Sequence, residues 1–232
     1  MSVWAILVAA GRGERLGSGQ PKAFAKLGDE PLLAEPLRRL EECGWVDSVV
    51  LVAPAGWEEP AVLLAEELGC GKVSACVAGG ETRTDSVRAG LSEVPAEALV
   101  VLVHDAARPL LSDEVVERVL APLQEGWDGA VPGLAVADTL KRVDPGGTVL
   151  ETVARDSLWA VQTPQAFLAD ALRRAYAGAG PATDCAALVE AAGGRVKVVE
   201  GDPRLLKVTT TDDLAKIASW LRAGQSRPDG PL

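Results

Sequence analysis

The sequence predicts an α/β protein built on a mostly parallel β-sheet that is flanked by helices. Short apolar runs alternate with helical patterns along most of the chain, which is the order of elements in a sheet whose strands are joined by right-handed crossovers. The run "ALVVLV" at 98–103 is apolar at every position, as expected of a central strand that is covered on both faces. An apolar fraction of 48% over 232 residues is sufficient for the core of such a sheet.

The predicted elements follow one another with few interruptions. Strands are expected at 3–9, 48–53, 72–77, 98–103, 129–136 and 195–200. Helices are expected at about 31–42, 59–68, 82–92, 113–125, 166–176, 183–192 and 211–222. We therefore predict one domain over residues 1–222. The polar stretch 223–232, rich in Pro and Gly, is expected to form a disordered tail.

One segment, 138–155, breaks this alternation. Its sequence "DTLKRVDPGGTVLETVAR" contains two strands of alternating polarity around "DPGG", and it predicts a β-hairpin. Pro145 and Gly146 suit the two central positions of a type II turn. Because an isolated two-stranded hairpin is only marginally stable, we expect the segment to project as an arm that packs on a partner.

Composition and charge exclude several classes of function. The net charge of −10 and the sequence pI near 4.7 argue against duplex nucleic acid or an anionic membrane as a partner, because both require a basic face. No apolar run reaches the ~18 residues of a membrane span, and the start has no basic leader. Four cysteines without a C-x-x-C pair, beside a single His, favour reduced core thiols in a cytoplasmic protein over a zinc site.

The first strand leads into "LVAAGRGERLGSGQPKAF", where glycines alternate with cations. A dinucleotide fingerprint requires its third glycine one residue before Gly17 and an acid after the second strand, where "VLVAPAG" has none. The P-loop pattern G-x-x-x-x-G-K-[ST] is not present either. Two interpretations remain. The stretch is a surface turn, or it is a loop that wraps a triphosphate, with Arg15 and Lys22 neutralising charge at the transition state.

Two further stretches carry polar residues at the ends of predicted elements. In "VLVHDAARP", Asp105 follows a central strand, where open α/β sheets bind ligands, so Asp105 is either a Mg²⁺ ligand or a strand-end cap. The only His, His104, is better explained as structural than as a general base. In "GGETRTDS", Thr82 and Asp85 suit the start of a helix, a position that also favours anions.

These blocks resemble the motifs of the 2-C-methyl-D-erythritol 4-phosphate cytidylyltransferase family, within the nucleotidyltransferases that activate small phosphates with NTP. The resemblance is carried by the glycine-rich stretch together with five later blocks in the same order: "AGGETRTDSVRAGL", "VHDAARP", "DTLKR", "VARDSLWAVQTPQAF" and "LLKVTTTDDL". It covers nearly the whole chain. It implies a Rossmann-like nucleotidyltransferase fold and the transfer of CMP from CTP to methylerythritol phosphate, with Mg²⁺ or another divalent cation as cofactor. The nearest alternative is a related transferase that uses ribitol 5-phosphate.

The resemblance also implies which residues form the nucleotide site. Arg15 and Lys22 are expected to stabilise the pentacoordinate phosphorus, and Asp105 to hold Mg²⁺. The remaining residues expected to contact CTP are Ala9, Ala10, Gly11, Gly13, Gly80, Glu81, Ser86 and Ala106.

On the acceptor side, the resemblance assigns contacts to Thr163 and Lys207, and Arg108 is expected to contact the acceptor phosphate because it follows Asp105 closely. It places Thr139 and Arg155 on an arm that reaches the neighbouring subunit of a homodimer. Two positions depart from the family pattern: Cys185 stands where the family usually has Glu, and Leu205 where it usually has Asn.

Overall fold

A computed structural model describes residues 2–11, 13, 19–178 and 180–225. The helices are α1 (Ala34–Glu42), α2 (Glu58–Glu67), α3 (Arg83–Ser92), α4 (Asp113–Gln124), α5 (Ala169–Tyr176), α6 (Cys185–Ala191) and α7 (Thr211–Gln225). The strands are β1 (Val3–Val8), β2 (Lys26–Leu27), β3 (Glu30–Pro31), β4 (Ser48–Ala53), β5 (Val73–Ala78), β6 (Val100–Asp105), β7 (Gly129–Ala135), β8 (Leu140–Val143), β9 (Val149–Val153), β10 (Trp159–Val161), β11 (Gln165–Leu168) and β12 (Val196–Glu200).

Eight strands form one mixed sheet, which confirms the predicted fold class. Its order is β10-β7-β11-β6-β1-β4-β5, and β12 pairs in parallel with β7. The strands β5, β4, β1 and β6 are parallel neighbours. From β1 the chain first adds β4 and β5 on one side of the sheet, and it then returns to add β6 on the other side of β1. The strand order therefore reverses between β1 and β6. In open α/β sheets a crevice forms beyond the carboxyl ends of the strands at such a point.

The segment 159–168 differs from the prediction. A helix was expected from 166, but residues 165–168 form β11, which lies antiparallel between β6 and β7. Ala166 and Phe167 are fully buried there, and α5 begins only at Ala169. A short apolar run fits a strand and a helix equally well by periodicity, and here the position between β6 and β7 decides for the strand. The neighbouring β10 was not predicted either.

The predicted hairpin is present as β8 and β9, but its turn is not of type II. A type II turn requires a positive φ at Gly146, whereas the positive φ of 84° belongs to Gly147. Gly147 donates its N–H to the carbonyl of Asp144, and the Asp144 side chain accepts from the N–H groups of Gly146 and Thr148. This is the pattern of a type I turn followed by a left-handed glycine, which accompanies a bulge between the strands.

Two large apolar clusters fill the faces of the sheet, and a third lies beneath α7. In the third cluster Ile217 of α7 packs with Ala25 and Val208, so one helix supports the segments that carry Lys22 and Lys207. The helix α7 continues to Gln225, which corrects the predicted start of a disordered tail at 223. Residues 226–232 lie outside the described residues. Among the described residues, no helix combines the length and the apolar character needed to cross a membrane.

Candidate functional site

Two adjoining cavities lie at the carboxyl ends of the parallel strands, where the strand order reverses. The larger, of about 250 Å³, lies between the loop after β1, the start of α3 and the end of β6. The smaller, of about 110 Å³, lies between the end of β6, the segment before β11 and the segment before α6. Three charged residues, Arg83, Asp105 and Lys207, line both cavities and therefore form the boundary between them.

The carboxylate of Asp105 lies between two cations. Arg83 Nε donates to Asp105 Oδ1 at 3.0 Å, and Arg83 Nη2 lies 2.9 Å from the same oxygen without hydrogen-bond alignment. Lys207 Nζ donates to the other oxygen, Oδ2, at 2.7 Å. Asp105 and Lys207 were both expected at the site, whereas Arg83, which is separated from Asp105 by 22 residues in the chain, was not.

Burial and charge act in opposite directions on Asp105, which is 6% exposed. Burial alone would raise the pKa of Asp105, but the charges of Arg83 and Lys207 hold that pKa well below its ordinary value. The side chain is therefore a carboxylate under all physiological conditions. The guanidinium of Arg83 is mostly buried as well, which alone would lower its pKa, but that pKa is raised because the charge of Asp105 outweighs the effect of burial.

His104 and Thr163 form a second buried group directly behind Asp105. His104 Nε2 lies 3.0 Å from the carbonyl oxygen of Arg108, so this nitrogen carries the proton and Nδ1 is an acceptor. The hydroxyl of Thr163 then donates to Nδ1 at 3.2 Å and accepts from the N–H of Asp105 at 3.0 Å. Burial lowers the pKa of His104 to about 4. The imidazole is neutral and both its nitrogens are engaged, which suits a structural role and not a general base.

The start of α3 borders the larger cavity. Thr82 and Asp85 form the predicted capping box: Thr82 Oγ1 accepts from the Asp85 N–H at 3.0 Å, and Asp85 Oδ2 accepts from the Thr82 N–H at 3.3 Å. The Ser86 hydroxyl accepts from the N–H of Gly80 at 3.2 Å. A Cβ added at Gly79 would lie 2.1 Å from Ala10 Cβ, so the glycine is required where the two loops touch.

Most of the residues expected at the nucleotide site line the larger cavity. These are Ala9, Ala10, Gly11, Lys22, Gly80, Glu81, Ser86, Asp105 and Ala106. Gly13 lies behind the lining: its φ of 69° is left-handed, and an added Cβ would meet Lys22 Cβ at 2.5 Å, so this glycine lets the loop approach the lysine. Arg15 lies outside the described residues.

The expected acceptor residues divide into two groups. Arg108, Thr163 and Lys207 line the smaller cavity, together with Thr183. Thr139 and Arg155 line neither cavity; both are exposed beside the hairpin, where Arg155 donates to the carbonyl of Ala137.

The two departures from the family pattern lie behind the cavity walls. Cys185 is buried, with its sulfur 3.4 Å from Arg83 Nη1 and 3.2 Å from the hydroxyl of Tyr176, and burial raises the pKa of its thiol. Leu205 is also buried, and its carbonyl accepts from Arg108 Nη1 at 2.6 Å. Both residues therefore support an arginine that lines a cavity.

Comparison with known proteins places this site in context. The sequence profile of the 2-C-methyl-D-erythritol 4-phosphate cytidylyltransferase family matches residues 3–223. Proteins of that name from Saccharopolyspora erythraea and Nocardia farcinica are 51% and 48% identical, over 93% and 92% of this chain and 97% and 91% of theirs. The crystal structure of 2-C-methyl-D-erythritol 4-phosphate cytidylyltransferase from Thermus thermophilus is 34% identical, with a TM-score of 0.77, covering 94% of this chain and 98% of that one.

The buried imidazole predicts a specific dependence of stability on pH. The pKa of His104 is about 4 in the folded protein and its ordinary value is 6.5, so between these values the unfolded chain binds the proton and the folded protein does not. Stability from this group is present above pH 6.5 and is lost as the pH falls. We expect the wild-type free energy of urea unfolding to lose about 2 kcal/mol more than that of His104→Gln between pH 7.5 and 5. Parallel pH profiles for the two proteins would contradict this prediction.

Proposed function

The chain belongs to the 2-C-methyl-D-erythritol 4-phosphate cytidylyltransferase family, and we propose that its two cavities divide the reaction, with CTP in the larger and the acceptor in the smaller. The family reaction transfers CMP from CTP to 2-C-methyl-D-erythritol 4-phosphate in the non-mevalonate isoprenoid pathway, giving 4-diphosphocytidyl-2-C-methyl-D-erythritol and pyrophosphate. The observation that carries the proposal is the shared wall of Arg83, Asp105 and Lys207. Two anionic substrates, one bound on each side of this wall, would both lie next to Arg83 and Lys207.

The larger cavity suits a nucleoside triphosphate. Gly11 presents backbone without a side chain, which allows close approach to phosphates. Lys22 supplies a cation from one side and Lys207 from the other, and each can neutralise negative charge that develops on the α-phosphorus. Arg15 is proposed to act with Lys22. The carbonyl of Gly80 and the Glu81 carboxylate are available to accept from the exocyclic amine of cytosine.

The smaller cavity suits a phosphate monoester. The buried Nε of Arg108 has no hydrogen-bond partner in the described part of the chain, although Nη1 is bound to the Leu205 carbonyl. An anion in the cavity would satisfy this donor, since an unpaired buried polar group is costly. The Thr163 hydroxyl donates to His104 Nδ1 and accepts from the Asp105 N–H, so one lone pair of its oxygen is left to accept from a hydroxyl of the acceptor.

The reaction requires no general base from the protein. A phosphate monoester is mostly dianionic at pH 7, since its second pKa is about 6, so its oxygen attacks the α-phosphorus without losing a proton. Catalysis then consists of holding two anions together and neutralising their charge. This agrees with a site in which His104 is neutral and has both ring nitrogens in hydrogen bonds, while lysine and arginine side chains line the cavities.

The donor set fits a magnesium ion that enters with the nucleotide. Among the described residues no three His, Cys, Asp or Glu side chains form a metal-binding group. These residues therefore do not form a site in which the protein supplies every ligand of the metal. Asp105 supplies one carboxylate beside the proposed triphosphate, and Mg²⁺ is commonly held by one or two carboxylates together with substrate phosphates. When bound, the ion would screen the repulsion between the two anionic substrates.

The arm is proposed to complete the site of a second subunit in a homodimer. Its second strand exposes Val149 and Leu150, and β10 exposes Trp159, all of them large apolar side chains. Apolar surface of this kind suits a protein interface. Thr139 and Arg155 lie beside this hairpin and line neither cavity of their own chain, which supports a role in the partner's acceptor site. The single domain and the cytoplasmic location stay predictions.

The function is tested by pyrophosphate release from the purified protein with Mg²⁺. The assay pairs CTP, ATP, GTP or UTP with methylerythritol 4-phosphate, ribitol 5-phosphate and several sugar phosphates. We expect release only with CTP and methylerythritol 4-phosphate. Release with CTP and ribitol 5-phosphate instead would retain the nucleotide cavity and reject the acceptor assignment, and no release despite normal CTP binding would reject the transfer itself.

Lys22 is expected to act mainly in the transition state. We predict that Lys22→Ala lowers kcat by about 10²- to 10³-fold and changes the Kd for CTP far less, because the charge it neutralises develops during the reaction. Lys26→Ala is the matched control, since Lys26 is an exposed lysine four residues away, and it should leave both constants unchanged. Measuring kcat by pyrophosphate release and Kd by calorimetry decides the matter. A large loss of CTP affinity with normal kcat would make Lys22 a plain binding residue.

A shared site predicts complementation between inactive subunits. We expect Arg155→Ala and Lys22→Ala homodimers to be nearly inactive, and their mixture to regain up to about a quarter of wild-type activity as heterodimers form with one intact site each. Subunit exchange is verified by mass spectrometry of intact complexes. Mixed dimers that form without any recovery of pyrophosphate release would show that Arg155 does not serve the partner's site.

A further inference from the structure

Two buried glutamines flank Thr163 in the stretch "QTPQ". Gln162 is 6% exposed and Gln165 is 1% exposed, and both line the smaller cavity but not the larger one. Neither received a role from the sequence or from the resemblance. A buried carboxamide must have both its donor and its acceptor satisfied, so the partners of these two side chains show what they hold in place.

Gln162 is bound to the backbone of a single distant residue. Its Oε1 accepts from the Asp202 N–H at 3.0 Å, and its Nε2 donates to the Asp202 carbonyl at 2.9 Å. Only one orientation of the amide satisfies both groups. A Cβ added at Gly201 would lie 2.3 Å from Gln162 Oε1, so the segment approaches as closely as a glycine allows. This segment leads to Lys207, five residues further along.

Gln165 holds the other distant wall of the cavity. Its Nε2 donates to Asp184 Oδ2 at 2.9 Å, and its Oε1 accepts from the Cys185 N–H at 3.2 Å. The second oxygen of Asp184 caps α6 by accepting from the Ala187 N–H at 3.0 Å. Thr183, which lines the smaller cavity, directly precedes this aspartate.

We propose that Gln162 and Gln165 are positioning residues for the acceptor site, which fix Lys207 and Thr183 relative to Thr163. One stretch of four residues thereby aligns two segments that lie 20 and 40 residues away in the chain. The proposal rests on the assignment of the smaller cavity to the acceptor. Because a displacement of about 1 Å at a reacting group is costly, loosening either segment should affect the acceptor and not CTP.

The decisive variant is Gln165→Glu, which keeps the size of the side chain and the acceptor for the Cys185 N–H. The assay is run at alkaline pH, where the new carboxyl group is ionised despite its acidic neighbour; the donor to Asp184 is then replaced by a carboxylate, and the two acids repel each other and displace Thr183. We expect the KM for methylerythritol phosphate to rise at least about tenfold, the effect of losing one buried hydrogen bond, while the KM for CTP stays within about twofold. Gln124→Glu is the matched control on an exposed glutamine of α4 and should leave both constants unchanged.

A reciprocal exchange separates positioning from general damage. In the double variant Gln165→Glu/Asp184→Asn the new amide donates to the new carboxylate, and the net charge of the pair is unchanged. We expect this variant to recover most of the lost affinity for the acceptor. An unchanged KM in Gln165→Glu, an equal rise for both substrates, or no recovery in the double variant would each overturn the proposal.

Hydrogen exchange tests the same proposal without reference to any substrate. We expect Gln165→Glu to speed amide exchange in residues 182–188 only. We expect Gln162→Met, whose side chain is similar in length but cannot make the two amide hydrogen bonds, to speed exchange in residues 201–208 only. Exchange that is unchanged, or that rises throughout the protein, would show that the glutamines do not fix these segments. If the wild-type protein failed to use methylerythritol phosphate, the exchange result would still decide whether the glutamines position the two walls.

Discussion

The site depends on one buried carboxylate. Asp105 lies at the carboxyl end of β6 with 6% of its surface exposed, and a charge in that position is stable only if partners compensate it. The two cations that do so come from α3 and from a segment 102 residues further along the chain. The fold therefore has to bring three distant parts of the sequence to one point. Removal of either cation would leave one oxygen of this buried carboxylate without its partner, and losing one partner of a buried ion pair usually destabilises a protein.

The same arrangement makes a cationic site within an acidic protein. The chain carries a net charge of −10, yet the two cavities are lined by four cations, Lys22, Arg83, Arg108 and Lys207, against three acids, Glu81, Asp105 and Asp184. Arg83, Arg108 and Lys207 are held by hydrogen bonds within the protein, so the proposed reaction would need little reorganisation of these cations. Neutral His104 adds no charge and uses its two nitrogens to hold Thr163 and the backbone at Arg108.

Sequence patterns predicted the features that depend on neighbouring residues. The capping box of Thr82 and Asp85 and the position of Asp105 at a strand end are both local, and both are present. The strand β11 was missed because four residues carry too little periodicity to separate a strand from a helix. Arg83 was missed for another reason: beside a capping box it has the pattern of an ordinary exposed helix residue. Its contact with Asp105 exists only because α3 and β6 come together in the tertiary structure.

The departures at Cys185 and Leu205 raised the question of which acceptor the site takes. In the structure neither side chain lines the smaller cavity; Leu205 offers its carbonyl to Arg108, a contact that a leucine makes as well as any other residue. Cys185 offers its sulfur to Arg83 and its N–H to Gln165. A thiol is a weak hydrogen-bond partner, and burial keeps this one protonated, so Asp105 is the principal anion that holds Arg83. The departure at Cys185 therefore alters how firmly Arg83 is held, whereas the departure at Leu205 leaves the backbone contact with Arg108 in place, and neither side chain lines the smaller cavity.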